Sequence, residues 1–371
     1  MIRGWPLEGS TANAPRDKAG SQANGRWPAS FFVLLLAAAA ASAGQTAILA
    51  FLPALVDPAR GALSSSAHDF HVASLTAVHP LAALLAAPLW GWIADRVDYR
   101  AMLRAALVIL ALVTAPIGLV GLPELYALRL VAGMASAAII PLGLLCASFA
   151  ASGRADQAPV GAALCAVRLP RWCAPCIDGG DLPAPTLGAT LILLFITIVA
   201  GGGLAAMHVN LLVTRSAISL SREEIAWMLS LCGLGMLAAQ IFHAKLDWLV
   251  TVPRRLAGLT LGLLAVALFM FPVAASMAEL SGIIVAAGWS SATLRLVTSF
   301  WISGGGAPSG VKLGFQHSAA SIGQALAPLA IAIVAPGAQP LVLWGIGGLS
   351  LALLVSLPLA WRPPAIVKSS A

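Results

Sequence analysis

HVASLTAVHPLAALLAAPLWGWIADRVDYR, residues 71–100, is the stretch on which the fold turns. From His71 to Ala94 it holds no Asp, Glu, Lys or Arg. Asp95, Arg96, Asp98 and Arg100 then arrive together, and a second, mostly apolar run follows at 102–121. Lipid offers the backbone no hydrogen-bond partners, so a run of about 20 apolar residues crosses it as a helix. The stretch reads as a span, a short charged turn and a span back.

Eight further runs of this kind flank the pair, at 29–56, 124–150, 187–214, 224–243, 256–275, 280–302, 313–335 and 341–361. They are rich in Ala, Gly and Leu and lack the two-residue alternation of barrel strands. The expected fold class is therefore all-α, a polytopic membrane protein with about ten transmembrane helices. Composition agrees. Of 371 residues, 60% are hydrophobic and 9% charged, where a soluble protein carries roughly 25% charged residues. With a mean hydropathy of +0.92, this excludes disorder, a nucleic-acid module and an ordinary soluble enzyme.

The net charge of +7 acquires its meaning from where the charges lie. With the N-terminus inside, 16 of the 21 Lys and Arg fall in segments on the inner side. Only Arg60, Arg215 and Arg222 fall outside, while Arg129 and Arg295 lie within spans. Basic residues mark the cytoplasmic side, so both termini are expected there, in the cell's inner membrane. Ala41-Ser42-Ala43 resembles a signal-peptidase site. The apolar stretch nevertheless runs on to Val56, too long for a signal core, and a retained first helix is expected.

Residues 151–186 break the pattern. Pro159, Pro170, Pro175, Pro183 and Pro185 alternate there with Arg168, Arg171, Asp178 and Asp181. The expected organisation is a cytoplasmic tail (1–28), a four-span bundle (29–150), a cytoplasmic linker (151–186), a six-span bundle (187–361) and a second tail (362–371). Trp172-Cys173-Ala174-Pro175-Cys176 resembles a thioredoxin-type redox string, but that chemistry needs a βαβ framework. Cys165, Cys173 and Cys176 lack a fourth zinc ligand. Cys146 and Cys232 read as small apolar residues. No metal, cofactor or catalytic cluster is expected, and the chain is not read as an enzyme.

Gly91-Trp92-Ile93-Ala94-Asp95-Arg96-Val97-Asp98-Tyr99-Arg100 resembles the signature between helices 2 and 3 of the major facilitator superfamily, G-x-x-x-D-R-x-x-x-R/K. Asp98 and Tyr99 depart from the usual residues. Arg129-Leu130-Val131-Ala132-Gly133 resembles the helix 4 motif R-x-x-x-G. Gly323-Gln324-Ala325-Leu326-Ala327-Pro328 is similar to the antiporter motif G-x-x-x-G-P, placed here in the span that would be helix 11; a small-residue packing stripe is the other reading. Asp247, Arg254 and Arg255 form a weak second copy of the loop signature, with His243 at its Gly position. Leu294-Arg295-Leu296-Val297 repeats the letters of Leu128 to Val131 at another depth and is read as coincidence.

The resemblance implies a fold of two helix bundles that rock about a mid-membrane site. It also implies that Gly91, Asp95, Arg96 and Arg100 form a conformational switch, with Asp95 docking on the helix beginning near Leu313. Arg129 is tied in the family to proton coupling; the alternative is that it snorkels to the outer interface. The chain matches helices 1–4 and 7–12 of the family's twelve. Loss of the helix 5–6 hairpin preserves every other orientation, and it predicts impaired transport or a second protomer filling the gap.

No Asp or Glu lies deep in a span: Asp57, Asp69, Glu124, Glu223, Glu224 and Glu279 fall near outer ends. The titratable candidates are His79, His208 and His317. Gln45, Asn210, Gln240, Trp289, Gln316 and Gln324 are candidates to line a central cavity. The expected function is a secondary transporter, a proton-coupled exporter of small molecules resembling the drug:proton antiporters, with lipid, protons and a small-molecule substrate as partners. The alternatives are an uptake carrier for a sugar or organic anion, with Arg129 pairing the anion, and a non-transporting remnant or membrane scaffold.

Overall fold

The structure is a computed structural model that describes residues 44–56, 65–94, 96–97, 99–139, 142, 186–213, 220–245, 252–303, 310–334 and 337–360. Asp95, the tails, the first part of the first span and the whole Cys-containing linker lie outside the described residues, as do Asp57, Arg60 and Asp247. So does the stretch where the fate of a helix 5–6 hairpin would be read.

Ten α-helices make up the described chain, with no strand among the described residues. They are α1 (Gly44–Val56), α2 (Ser65–Ala94), α3 (Tyr99–Thr114), α4 (Leu122–Ser136), α5 (Leu187–Val213), α6 (Arg222–Lys245), α7 (Pro253–Met270), α8 (Met277–Ser303), α9 (Gly310–Ile333) and α10 (Gln339–Ala360). Short 3₁₀ turns at Ile117–Leu119 and Phe271–Val273 follow α3 and α7. The expected spans at 71–94, 187–214, 224–243, 256–275, 280–302 and 341–361 reappear to within about six residues, whereas 29–56 is described only from Gly44 and 124–150 only as Leu122–Ser136 with Ile139 and Leu142 also helical.

Glu224 and Glu279 start helices. The Ser221 amide donates to Glu224 Oε2 at 2.7 Å, and the Glu224 amide donates to Ser221 Oγ at 3.2 Å. This is a reciprocal capping box, and it satisfies donors that the first turn leaves orphaned. Ser276 and Glu279 do the same for α8, with Glu279 accepting from the Ala275 amide at 2.9 Å.

Small residues set the packing, as expected where lipid tails supply no hydrophobic drive between helices. α2 and α9 run together over a long contact. Gly91 lies against the Gly310 carbonyl and Gly314 against the Ala87 carbonyl, and neither site has room for a Cβ. Ser318 Oγ donates to the Leu84 carbonyl at 2.8 Å along the same seam. Gly133 brings α4 onto the His79 carbonyl of α2. Gly201 meets the Ala320 carbonyl and Gly323 the Ile198 carbonyl, which locks α5 to α9. Gly235 and Gly288 do the same between α6 and α8. α3 packs on α4 at the edge of the first half, and α10 packs on α7 and α5.

Seven helices are long and apolar enough to cross a membrane. α1 and α4 are shorter within the described residues. α9 is 24 residues long but carries Lys312, Gln316, His317, Ser318, Ser321 and Gln324. Its polarity has a structural reason: most of it faces α2, α5 and α8 rather than lipid.

Candidate functional site

Two polar networks face each other across the seam between the first four helices and the last six. In the first half, Arg129 of α4 is 2% exposed. Its Nε donates to the Leu75 carbonyl of α2 at 3.3 Å, and one Nη donates to Gln45 Oε1 of α1 at 3.0 Å. The guanidinium thus ties three helices together. It is enclosed by α1 and α2. One turn deeper, His79 Nε2 and Ser136 Oγ pair at 3.1 Å. Gly133, whose lack of a side chain lets α4 touch α2, places that pair.

In the second half, Gln316 of α9 is fixed at both ends. Its Nε2 donates to the Arg295 carbonyl at 3.2 Å and to Thr298 Oγ1 at 3.0 Å, and its Oε1 accepts from Ser299 Oγ at 2.8 Å. Thr197 Oγ1 of α5 donates to Thr298 Oγ1 at 3.0 Å. One polar knot therefore holds α5, α8 and α9. Arg295 stands at this knot on α8, and His317 lies next to Gln316 on α9.

His79 lies on α2 and His317 on α9, the two helices that form the seam, with Arg129 behind the first on α4 and Arg295 behind the second on α8. Among the described residues no carboxylate answers them: Asp69 pairs with His68 near the N-terminal end of α2, and Glu224 and Glu279 cap helices. No group of three metal-ligating side chains occurs among the described residues.

The other sequence candidates scatter. Gln45 is consumed by Arg129. Asn210 is buried near the C-terminal end of α5, with Nδ2 unpartnered among the described residues, and His208 Nε2 is likewise unpartnered. Trp289 stacks on Phe242 and His243, with ring centroids 5.3 and 5.9 Å apart, between α6 and α8 rather than on the seam. Gln240 is exposed on α6 and joins neither network. Gln324 is half-buried on α9. In the loop signature, Arg96 stacks over the Trp92 ring at 4.0 Å and donates to the Trp92 carbonyl at 2.9 Å. Gly91 packs on Gly310, the first residue of α9, three residues ahead of the expected start near Leu313. The side chain of Arg100 lies outside the described residues. Gly323, Ala327 and Pro328 are all buried, and Gly323 packs on α5, so the packing reading of that stripe has direct geometric support.

The importance of Arg295 was not anticipated from the sequence. The signal was available, since an Arg inside an apolar span is costly and marks a site by default.

Comparison with known proteins bears on the fold. The family model "Major Facilitator Superfamily" matches residues 28–160. No curated protein matches the sequence. The fold matches the solved structure of the human organic anion transporter MFSD10 (TETRAN) with a TM-score of 0.65 and 17% identity, covering 88% of this chain and 98% of that one.

Proposed function

We propose that the chain is a secondary carrier of small organic anions; residues 28–160 match the Major Facilitator Superfamily model, and the fold is similar to that of a solved transporter. The observation that carries the reading is the seam itself. His79 and His317 lie on its two helices, Arg129 and Arg295 stand behind them on α4 and α8, and no described carboxylate answers them. Charge in a low-dielectric interior must be neutralised or cost several kcal/mol per ion, and an anionic cargo supplies that neutralisation when it binds. The name of the structurally similar human transporter points the same way.

The two halves meet along α2 and α9, and the site lies on their seam, which suits alternating access by rocking of one half against the other. Gly91 against Gly310 is then the cytoplasmic-side hinge contact, and the partner assigned to Asp95 is the N-terminal end of α9. Export of lipophilic cations fits less well, because the cargo would approach two guanidinium groups. Proton coupling, if present, falls to His79 and His317.

The test is transport by the full chain in vesicles. Labelled benzoate should exchange against unlabelled benzoate inside, and tetraphenylphosphonium should not move. Movement of the cation without the anion would overturn the reading in favour of a cation exporter. Movement of neither would favour the non-transporting remnant that a missing hairpin predicts.

We further propose that both termini are cytoplasmic. A reporter fused near Ala174 should read as cytoplasmic and one fused near Ser64 as external. An external Ala174 reporter would overturn the orientation and the ten-span count together.

A further inference from the structure

Arg129 and Arg295 are not equivalent. Arg129 is nearly inaccessible and already donates to a carbonyl and a side-chain oxygen. Arg295 is half-buried as a whole, yet its Nε and Nη2 are buried and meet no hydrogen-bond partner among the described residues. Those two atoms are not a random pair. The Nε–H and the neighbouring Nη2–H bonds point the same way in the guanidinium plane, and together they form one edge of its donor fork. The separation of the two donors matches the two oxygens of a carboxylate, which is how Arg binds carboxylates bidentately. An edge of this kind left unpaired in a protein interior is rare, because a buried charged donor without a partner is expensive.

The surroundings make the edge a built feature. Gln316 and Thr298 both donate to the Arg295 carbonyl, at 3.2 Å each, and Thr298 is tied in turn to Thr197. The backbone that bears Arg295 is thus clamped among α5, α8 and α9, and holding a ligand group on packed helices is what gives a binding site its precision. His317 stands within the field of Arg295, with His79 of the opposite half beyond it. A carboxylate on the fork therefore sits beside the seam, where both halves sense it.

We propose that the Nε–Nη2 edge of Arg295 is the carboxylate-binding fork of this carrier, and that its substrates are small organic carboxylates. The proposal rests on the anion-carrier reading and deepens it. Arg129 acts in it as a positioning residue, holding α1, α2 and α4 in place and contributing a field but no ligand bond. The geometry predicts discrimination between a carboxylate and its neutral amide. An amide offers one acceptor and one donor, and the donor would face an N–H of the fork.

The test uses the purified full chain with benzoate and benzamide, which share one shape. Wild type should bind benzoate about 100-fold more tightly than benzamide, the scale of two hydrogen bonds to a charged group. Arg295→Gln should abolish that preference. Arg295→Lys keeps a charge but not the planar fork, and should retain only about a tenth of the affinity. Arg295→Gln removes an unpaired buried charge, so its melting temperature without ligand should equal or exceed that of wild type. This separates lost binding from lost folding. Benzoate binding unchanged in Arg295→Gln would overturn the fork and leave the anion carrier standing. Equal wild-type binding of benzoate and benzamide would also overturn it. Failure of wild type to bind benzoate, benzenesulfonate and phosphate alike would overturn both readings.

Discussion

Gly323→Val should leave no folded protein. A Cβ at this position runs into the Ile198 carbonyl and lies 2.7 Å from the Gly202 amide nitrogen. These obstacles are all backbone, so no rotamer change relieves them. α5 and α9 must separate, and with them the knot of Thr197, Thr298 and Gln316. Overpacking ordinarily costs about 1–3 kcal/mol; forcing two backbones apart belongs above that range. The check is a graded series read by melting temperature in detergent. A Cβ at Gly262 would meet nothing within 4 Å, and Gly262→Ala should stabilise by roughly 0.5–1 kcal/mol through helix propensity. Gly202→Ala meets Gly323 at 3.3 Å or more and should change little. Gly323→Ala should lose several degrees, and Gly323→Val should not be recovered as a monodisperse species. A well-folded Gly323→Val would show that α5 and α9 are not in contact there, and would return Gly323-Ala327-Pro328 to its motif reading.

The spans were legible because a single physical demand fixes them: the backbone must be satisfied inside lipid. Hence 187–214 and 280–302 reappear almost unchanged as Leu187–Val213 and Met277–Ser303. Helix phase was not legible. An all-round apolar helix such as α5 has no polar face to betray its orientation, so Asn210, Trp289 and Gln240 were grouped on residue type alone and separate in space. α9 shows the converse. Its polar residues pointed to buried partners, and Gln316 and His317 do sit on the seam. Arg295 was missed because a hydrogen bond left unmade is a property of three-dimensional surroundings, and no spacing rule encodes it. Asp95, the side chain of Arg100 and the Cys-containing linker lie outside the described residues, so of the loop signature only the contacts of Gly91 and Arg96 are seen.

Arg129→Gln should destabilise the first half by about 2–4 kcal/mol. The guanidinium is the largest of the fully enclosed side chains, and Gln is too short to fill its space. The hydrogen bond to Gln45 Oε1 goes with it. A buried acceptor left without its donor costs about 1–3 kcal/mol, and the residual void adds to that. Removing the charge itself returns part of this loss, since no counterion accompanied it among the described residues, which keeps the figure from rising further. Arg129→Lys preserves the charge and much of the stem, but a single ammonium cannot bridge Leu75 and Gln45 as a fork does; it should fall between wild type and Gln. Thermal unfolding of the purified chain gives the order wild type, Lys, Gln. The same variants carry an electrostatic prediction. Two charges on the order of 10 Å apart at an effective dielectric of ~20 interact by about 1.7 kcal/mol, so losing Arg129 should weaken any anion roughly 20-fold. That loss should be the same for carboxylate and sulfonate, because a field has no shape. An Arg129→Gln protein that melts with wild type would mean that the side chain lies in the outer interface, and that the tie among α1, α2 and α4 is made elsewhere.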